Sequence, residues 1–322
     1  MTKNKKILVT GGAGFIGSHI VDRLVGEGYK VFIIDNLSTG KKDNLNPKVK
    51  FYKADIQSSK ISQIFNKEKP NIIFHLAAQI DVRKSVKNPI ADAKINILGS
   101  LNLIQNFVRI NSGSNLRKNA KFIFSSTGGA IYGDTNLIPT PETHPEFPLS
   151  PYGIAKLTIE KYLNYYFKIL NIPFVALRYG NVYGPRQNSK GEAGVIAIFC
   201  DKILSGKQPI INGDGKQTRD YVFVKDVVEA NISVLKKSIT GIFNIGTSKQ
   251  TSVNAIFRKI KKITGSGCKE IHGPTQSGEQ KTSCLSFKKA KKTFNWKPKY
   301  NLETGLKETA QWFKEQKNYE KK

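Results

Sequence analysis

Cysteine is scarce in this chain: Cys200, Cys268 and Cys284 are the three present among 322 residues. Their number is odd and no C-x-x-C or Cys/His ligand spacing accompanies them, which excludes a disulfide framework and a zinc site and leaves reduced thiols and no metal as the expectation. Long apolar runs are also missing. The basic segment Met1 to Lys6 passes through Ile7-Leu8-Val9 straight into a glycine-rich turn, far short of a signal-peptide core or a membrane span. A cytoplasmic protein without membrane association is therefore expected. Acidic residues are few, 24 against 52 Lys and Arg, for a net charge of +28. A field of that sign favours phosphate-bearing partners. The lysines nevertheless fall in scattered pairs such as Lys41-Lys42, Lys236-Lys237 and Lys291-Lys292, without interleaved aromatics or a nucleic-acid module. They read as a solvated surface, with no nucleic acid as partner. Repeats and low-complexity segments are absent apart from the lysine enrichment.

What remains is ordinary for a globular chain: 39% hydrophobic and 10% aromatic residues can build one large core or two moderate ones. Apolar runs of strand length alternate with helix-length periodic segments in the first half, the pattern of a parallel sheet covered by helices on both faces. Strands are predicted from Lys6 to Thr10, Lys30 to Ile34, Val49 to Lys53, Ile72 to Leu76, Lys121 to Ser125 and Phe174 to Arg178. Pro-containing stretches at Ile138 to Pro151 and around Pro185 follow strand ends and read as loops near a site. After about Gly184 the rhythm becomes irregular. The helix beginning near Tyr152 carries Ile154, Leu157, Ile159, Tyr162, Leu163, Tyr166, Phe167 and Leu170 on more than one face. Such a helix needs a second cover, either within its own subunit or across a symmetric homodimer contact shared with the helix holding Ile95 to Val108.

The run Thr10-Gly11-Gly12-Ala13-Gly14-Phe15-Ile16-Gly17 places glycines directly after a strand and before an amphipathic helix. Glycines permit a tight turn and let backbone approach a pyrophosphate, whose charge then sits on the free N–H groups of the helix N-terminus. Asp35 ends the next strand, 18 residues after Gly17. A carboxylate there can accept hydrogen bonds from both ribose hydroxyls of an adenosine and would repel a 2′-phosphate, favouring NAD over NADP, although Lys41 and Lys42 lie close by in sequence. Asp55-Ile56, after the third strand, is placed either to line the adenine or simply to form a strand-end turn.

Tyr152 and Lys156 stand four residues apart, hence on one helix face. A phenol that titrates near ~10 can act as a base at neutral pH only if nearby positive charge stabilises the phenolate, which Lys156 and an oxidised nicotinamide would supply. Ahead of it, the predicted strand runs into the hydroxyls Ser125-Ser126-Thr127, one of which could lie beside the tyrosine.

These motifs, together with Asp35-Asn36-Leu37-Ser38-Thr39-Gly40, His75-Leu76-Ala77-Ala78-Gln79, Asn96, Ser125 to Gly133, Arg178 to Pro185, Arg219 to Val222 and Phe243 to Thr247, run in order along nearly the whole chain. On them the sequence resembles an extended short-chain dehydrogenase/reductase of the nucleotide-sugar epimerase and dehydratase family, UDP-glucose 4-epimerase type. The resemblance implies an α/β fold: a Rossmann-like doubly wound parallel sheet over residues 1–180, with segments near 217–247 returning to it, and a smaller mixed α/β substrate domain over 181–322. It implies tightly bound NAD and a UDP-sugar as partner. Tyr152 would be the base, Lys156 would hold the nicotinamide ribose, and Thr127, or Ser126 one register away, would bond the reacting sugar hydroxyl. Gly11, Gly14, Phe15, Ile16, Gly17, Asp35, Asn36, Ser38, Thr39, Gly40, Asp55, Ile56, Leu76, Ala77, Ala78, Gln79, Asn96, Ser125 and Tyr179 would meet the cofactor. Ser85, Asn181, Val195, Ile196, Arg219 and Ser283 would meet the substrate. An Arg219 guanidinium can grip a diphosphate by two parallel hydrogen bonds.

The implied reaction is a 4-epimerisation of UDP-glucose and UDP-galactose: Tyr152 takes the C4 hydroxyl proton while hydride passes to NAD, the 4-ketose rotates, and hydride returns to its other face. Sister dehydratases carry Asp-Glu right after the catalytic hydroxyl, whereas Gly128 and Gly129 follow Thr127 here. That disfavours a dTDP-glucose 4,6-dehydratase and leaves UDP-glucuronate epimerisation or decarboxylation as alternatives. Gln276 stands where relatives carry a diphosphate-binding arginine, with Lys281 as a substitute. The small Ser283 leaves room for an acetamido group and thus for UDP-GlcNAc and UDP-GalNAc. A different class of reading, a non-catalytic nucleotide-binding protein, is disfavoured by the retained Tyr152, Lys156 and hydroxyls.

Overall fold

The structure, a computed structural model, describes residues 5–113, 120–190, 194–275 and 280–319. Six strands follow the expected rhythm: β1 (Lys6–Thr10), β2 (Lys30–Asp35), β3 (Lys50–Lys53), β4 (Ile72–His75), β5 (Lys121–Thr127) and β6 (Phe174–Tyr179). A later strand, β7 (Gly241–Ile245), pairs with β6, and the seven strands lie in the order β7-β6-β5-β4-β1-β2-β3 with every pairing parallel. The chain therefore builds outward from β1 in one direction and from β4 in the other. Between those two strands lies the switch point, where a crevice opens beyond the carboxyl ends.

Strand alternation divides the apolar residues between two cores. Ile7, Val9, Ile123, Val175 and Leu177 face one layer, which includes α1 (Phe15–Gly26) and α6 (Val224–Lys236). Leu8, Phe122, Phe124, Phe174 and Ala176 face the other, covered by α2 (Lys60–Glu68), α3 (Ser100–Ile110) and α4 (Pro151–Leu170). A third core joins α5 (Val195–Leu204), α7 (Val253–Thr264) and α8 (Leu302–Tyr319) through Ile196, Phe199, Phe257, Ile260, Leu306 and Phe313. Short ladders accompany it, including Asn181–Tyr183 with Tyr221–Phe223 and Thr218–Arg219 with Thr251–Ser252.

One polar cluster interrupts the apolar layer beneath α4. Arg178 and Glu160 are both fully buried. Arg178 donates to the two Glu160 carboxylate oxygens at 3.0 and 2.6 Å, to Glu146 at 2.7 Å and to the Tyr132 hydroxyl at 2.8 Å. Removing one partner of such a pair leaves an uncompensated buried charge. Arg178→Met is expected to lower the unfolding free energy by about 3–5 kcal/mol. Lys161→Met, which breaks a contact from a lysine 62% exposed to Glu146, should cost only about 0–1 kcal/mol. Urea midpoints of the two variants, compared with the parent chain, check the contrast.

Candidate active site

The glycine turn is packed to backbone contact. Gly11 has φ +70°, and a Cβ there would lie 2.7 Å from Ala77 N; a Cβ at Gly17 would lie 2.1 Å from Gly11 O. Only glycine fits either place, so the β1 turn presses against the β4 end and brings the N-terminus of α1 to the crevice. Gly14 caps that helix without any side-chain bond, so its first N–H groups are available to a phosphate. Gly14, Phe15 and Ile16 are half-buried along this edge. Asp35 is buried, and each carboxylate oxygen holds one backbone N–H: Ala13 at 3.0 Å and Leu37 at 2.8 Å. Each oxygen keeps lone-pair capacity for a ribose hydroxyl. Asn36, Ser38 and Thr39 are exposed beside it, and Gly40 closes over it. Burial works against the Asp55 charge, but bonds from Gln57 and Asn36 outweigh it and hold this carboxyl below its ordinary range. These residues fit an adenine dinucleotide.

Several of the expected contacts need correction. Ile56 is 5% exposed and packs in the sheet core, so its side chain cannot line an adenine. Asn96 lies in a π-helical stretch, Lys94–Gly99, and both its amide N–H groups are spent: Oδ1 accepts from Gln79 N at 2.9 Å, and Nδ2 donates to Gln79 O and Asp92 Oδ1. It shapes the Leu76–Gln79 loop and keeps one Oδ1 lone pair for a ligand. The Gln79 side chain is likewise turned inward, to Asp81 and Asp92. The Tyr179 side chain is buried with its hydroxyl bound to Asn231. Ser85 is fully buried, donating to Val82 O and accepting from Tyr152 N at 3.2 Å, so it anchors α4 and does not face substrate. Ile196 belongs to the third core, leaving half-buried Val195 at the start of α5.

The hydroxyl ambiguity is resolved by strand geometry. β5 continues through Thr127, so Ser126 points to the α4 layer, where it donates to Glu160 at 2.5 Å. Ser126 is thus part of the buried polar cluster, and Ser125 and Thr127 project on the opposite face. A Cβ at Gly153 would sit 2.4 Å from Ala130 O, a close approach that seats the start of α4 against the turn after Thr127. Lys156 is 4% exposed and donates to Ser125 O at 2.9 Å, with its Nζ 5.8 Å from the Tyr152 ring centre. Burial pulls the Lys156 ammonium down to about 8.

On the other wall, Thr127 Oγ1, Asn181 Oδ1 and Ser283 Oγ lie 4.0, 4.0 and 3.8 Å from where a Gly129 Cβ would be. Neither Gly128 nor Gly129 offers an acid. Ser283 N donates to Thr218 O beside half-buried Arg219, which itself donates to that carbonyl. Fully buried Asp220 ties this wall together: it accepts from Thr247 N and Oγ1, Ser248 N and Leu285 N. Gln276 lies outside the described residues. Among the described residues no group of His, Cys, Asp or Glu could hold a metal ion, and no helix is long and apolar enough to cross a membrane.

The family model described as GDP-mannose 4,6 dehydratase matches residues 8–309. The chain belongs to this family, the extended short-chain dehydrogenases/reductases. It is 47% identical to the Thermotoga maritima UDP-glucose 4-epimerase solved with UDP-glucose, covering 97% of this chain and 99% of that one, with a TM-score of 0.93. A Thermus thermophilus UDP-glucose 4-epimerase in complex with NAD is 38% identical, covering 96% and 98%, with a TM-score of 0.89. A Methanobrevibacter ruminantium UDP-N-acetylglucosamine 4-epimerase, in complex with UDP-N-acetylmuramic acid, is 36% identical, covering 98% and 100%, with a TM-score of 0.90.

Sequence reasoning singled out His75 as part of a motif without giving it a task. Ser100 Oγ donates to Asn96 O, so His75 Nε2 must donate to Ser100 at 2.8 Å; Thr10 Oγ1 accepts from Leu76 N and Ala77 N and gives its proton to His75 Nδ1 at 2.7 Å. Burial, reinforced by the Lys156 charge, lowers this imidazole to about 3. Nitrogen-15 NMR is expected to find His75 as the neutral Nε2–H tautomer down to about pH 5, well below the ordinary histidine range. A doubly protonated ring there would contradict this network.

Proposed function

We propose that the chain is an NAD-dependent UDP-sugar 4-epimerase that works through a transient 4-keto sugar. The observation that carries this reading is the pairing of buried Lys156 with Tyr152 at the mouth of a glycine cradle, beside a hydroxyl wall without an acid. Bound NAD would take hydride from C4 and return it. The Tyr152 phenolate accepts the O4 proton as C4 is oxidised and gives it back as C4 is reduced, with the Lys156 charge favouring the phenolate. Thr127 bonds the same hydroxyl. Arg219, Asn181 and Val195 hold the nucleotide diphosphate and base, so that affinity rests on the part of the substrate that stays still while the ketose turns. Gly128 and Gly129 weigh against elimination, because a dehydratase needs an acid there. UDP-glucuronate epimerisation or decarboxylation is the second reading within this family.

Small Ser283, 6% exposed beside Gly129, favours acceptance of the acetamido group. Incubation with UDP-galactose and, separately, UDP-N-acetylgalactosamine, without added reductant, is expected to yield both C4 epimers. Tyr152→Phe should reduce turnover by about 10²-fold or more. No conversion of either sugar would overturn the epimerase reading, and conversion of the unacetylated sugar alone would overturn the role given to Ser283.

The proposal includes a cytoplasmic homodimer. Cys200, Cys268 and Cys284 are all unpaired thiols. On α4, Ile154, Tyr162, Tyr165 and Ile169 are exposed by 40% or more, as is Leu98 just before α3. Burying that face against a second copy explains a helix apolar on more than one side. Sedimentation should give twice the chain mass, with Ile154→Asp/Leu98→Asp shifting it toward the monomer; a monomeric parent would remove the dimer from the proposal.

A further inference from the structure

Lys156 is poorly compensated by its hydrogen bonds. It is 4% exposed, and its three donors find one partner among the described residues, the neutral Ser125 carbonyl, with the Phe124 ring 4.8 Å away. A buried ammonium in such company loses its proton unless an opposite charge lies near. Two carboxylates act on its charge, each raising its proton affinity against the pull of burial. Glu160, one turn further along α4, is already matched by the two-pronged Arg178 contact. The other is Asp92, on the short helix Pro89–Ala93 that packs against α4. Of its other titratable neighbours, Tyr152 stands 5.8 Å away by its ring centre and His75, at the β4 end, is held neutral by burial.

Asp92 is 2% exposed. Its Oδ1 accepts from the neutral amides of Gln79 at 2.8 Å and Asn96 at 2.9 Å, and its Oδ2 is buried without a hydrogen-bond partner among the described residues. An unpartnered carboxylate oxygen in the interior is costly, and two neutral donors do not balance a full charge. The influences run both ways: Asp92 opposes the downward pull of burial on Lys156, and Lys156 opposes the upward push of burial on Asp92.

We propose that Asp92 is the counter-charge of Lys156, a positioning residue that acts through the ammonium and keeps it protonated beside Tyr152. The inference rests on the reading of Lys156 as the group that tunes Tyr152. It assigns Asp92 two tasks. One oxygen holds the Gln79 loop and Asn96, a task that an amide oxygen performs equally well; the charge on the other is what Lys156 requires. Asp92→Asn therefore separates the tasks.

The test uses the full chain saturated with NAD and labelled at lysine Cε, with the Lys156 resonance assigned through Lys156→Met. In Asp92→Asn the pH at which Lys156 half-titrates should fall by about one unit or more, a tenfold change in proton affinity. The alkaline limb of kcat should move with it, while KM for the sugar nucleotide changes much less. An unmoved Lys156 titration overturns the proposal, even where activity falls uniformly at every pH, since that is the mark of a structural role alone. Should Asp92→Asn not fold, the carboxyl carbon shift of Asp92 in the parent chain decides: an ionised group at neutral pH supports the proposal and a protonated one overturns it. Because the lysine titration is read without turnover, failure to convert any UDP-sugar would sink the functional reading and leave the Asp92–Lys156 coupling standing.

Discussion

The buried ion pair between Arg178 and Glu160 is the contact through which the site is assembled. α4 contributes Tyr152 and Lys156 from its first turns, and Glu160 follows on the same face one turn later. By gripping Glu160, Arg178 sets the height and rotation of that helix relative to β6, and Ser126 does the same from β5. The pair is surrounded by its own acceptors and donors, Tyr132, Glu146 and Ser126, which offset part of the cost of taking two charges out of water. A helix held only by its apolar stripe could slide or roll; an ion pair with bidentate geometry cannot do either without losing bonds.

The same logic recurs at the other elements that meet at the crevice. The β1 turn is held to the β4 end by backbone contact at Gly11 and by the Thr10 hydroxyl, whose bonds to Leu76, Ala77 and His75 extend through Ser100 to Asn96. Asp220 performs the equivalent task on the substrate side, drawing together residues 247–248 and 285. Each is a buried polar group satisfied by partners distant in sequence, the arrangement that positions functional groups rigidly.

The chain order of strands, the glycine turn, Asp35 and the Tyr152/Lys156 spacing were legible in the sequence because each rests on local rules: period-two alternation, the conformations open to glycine, and the helical repeat. The parallel sheet and the family followed from those local signals in order. β7 was not placed as a strand: it follows the stretch after Gly184 where the alternation of strand and helix becomes irregular, and its partner is β6, before that stretch. That the side chains of Ser126, Ser85, Ile56 and Ile196 turn into the interior was not legible for a related reason. A motif names which residues stand near a site, but the direction of each side chain depends on where its strand ends and on which partner it finds.

By itself the sequence determined the fold class, the dinucleotide turn and the tyrosine–lysine pair, all consequences of short-range geometry. Tertiary structure alone decided which hydroxyl faces the crevice, which polar groups are consumed in holding loops, and that Glu160 is neutralised by Arg178 while one oxygen of Asp92 is buried without a hydrogen-bond partner among the described residues. Those outcomes depend on charges and hydrogen bonds between segments far apart in the chain, whose strength is set by burial, and burial exists only once the layers have packed.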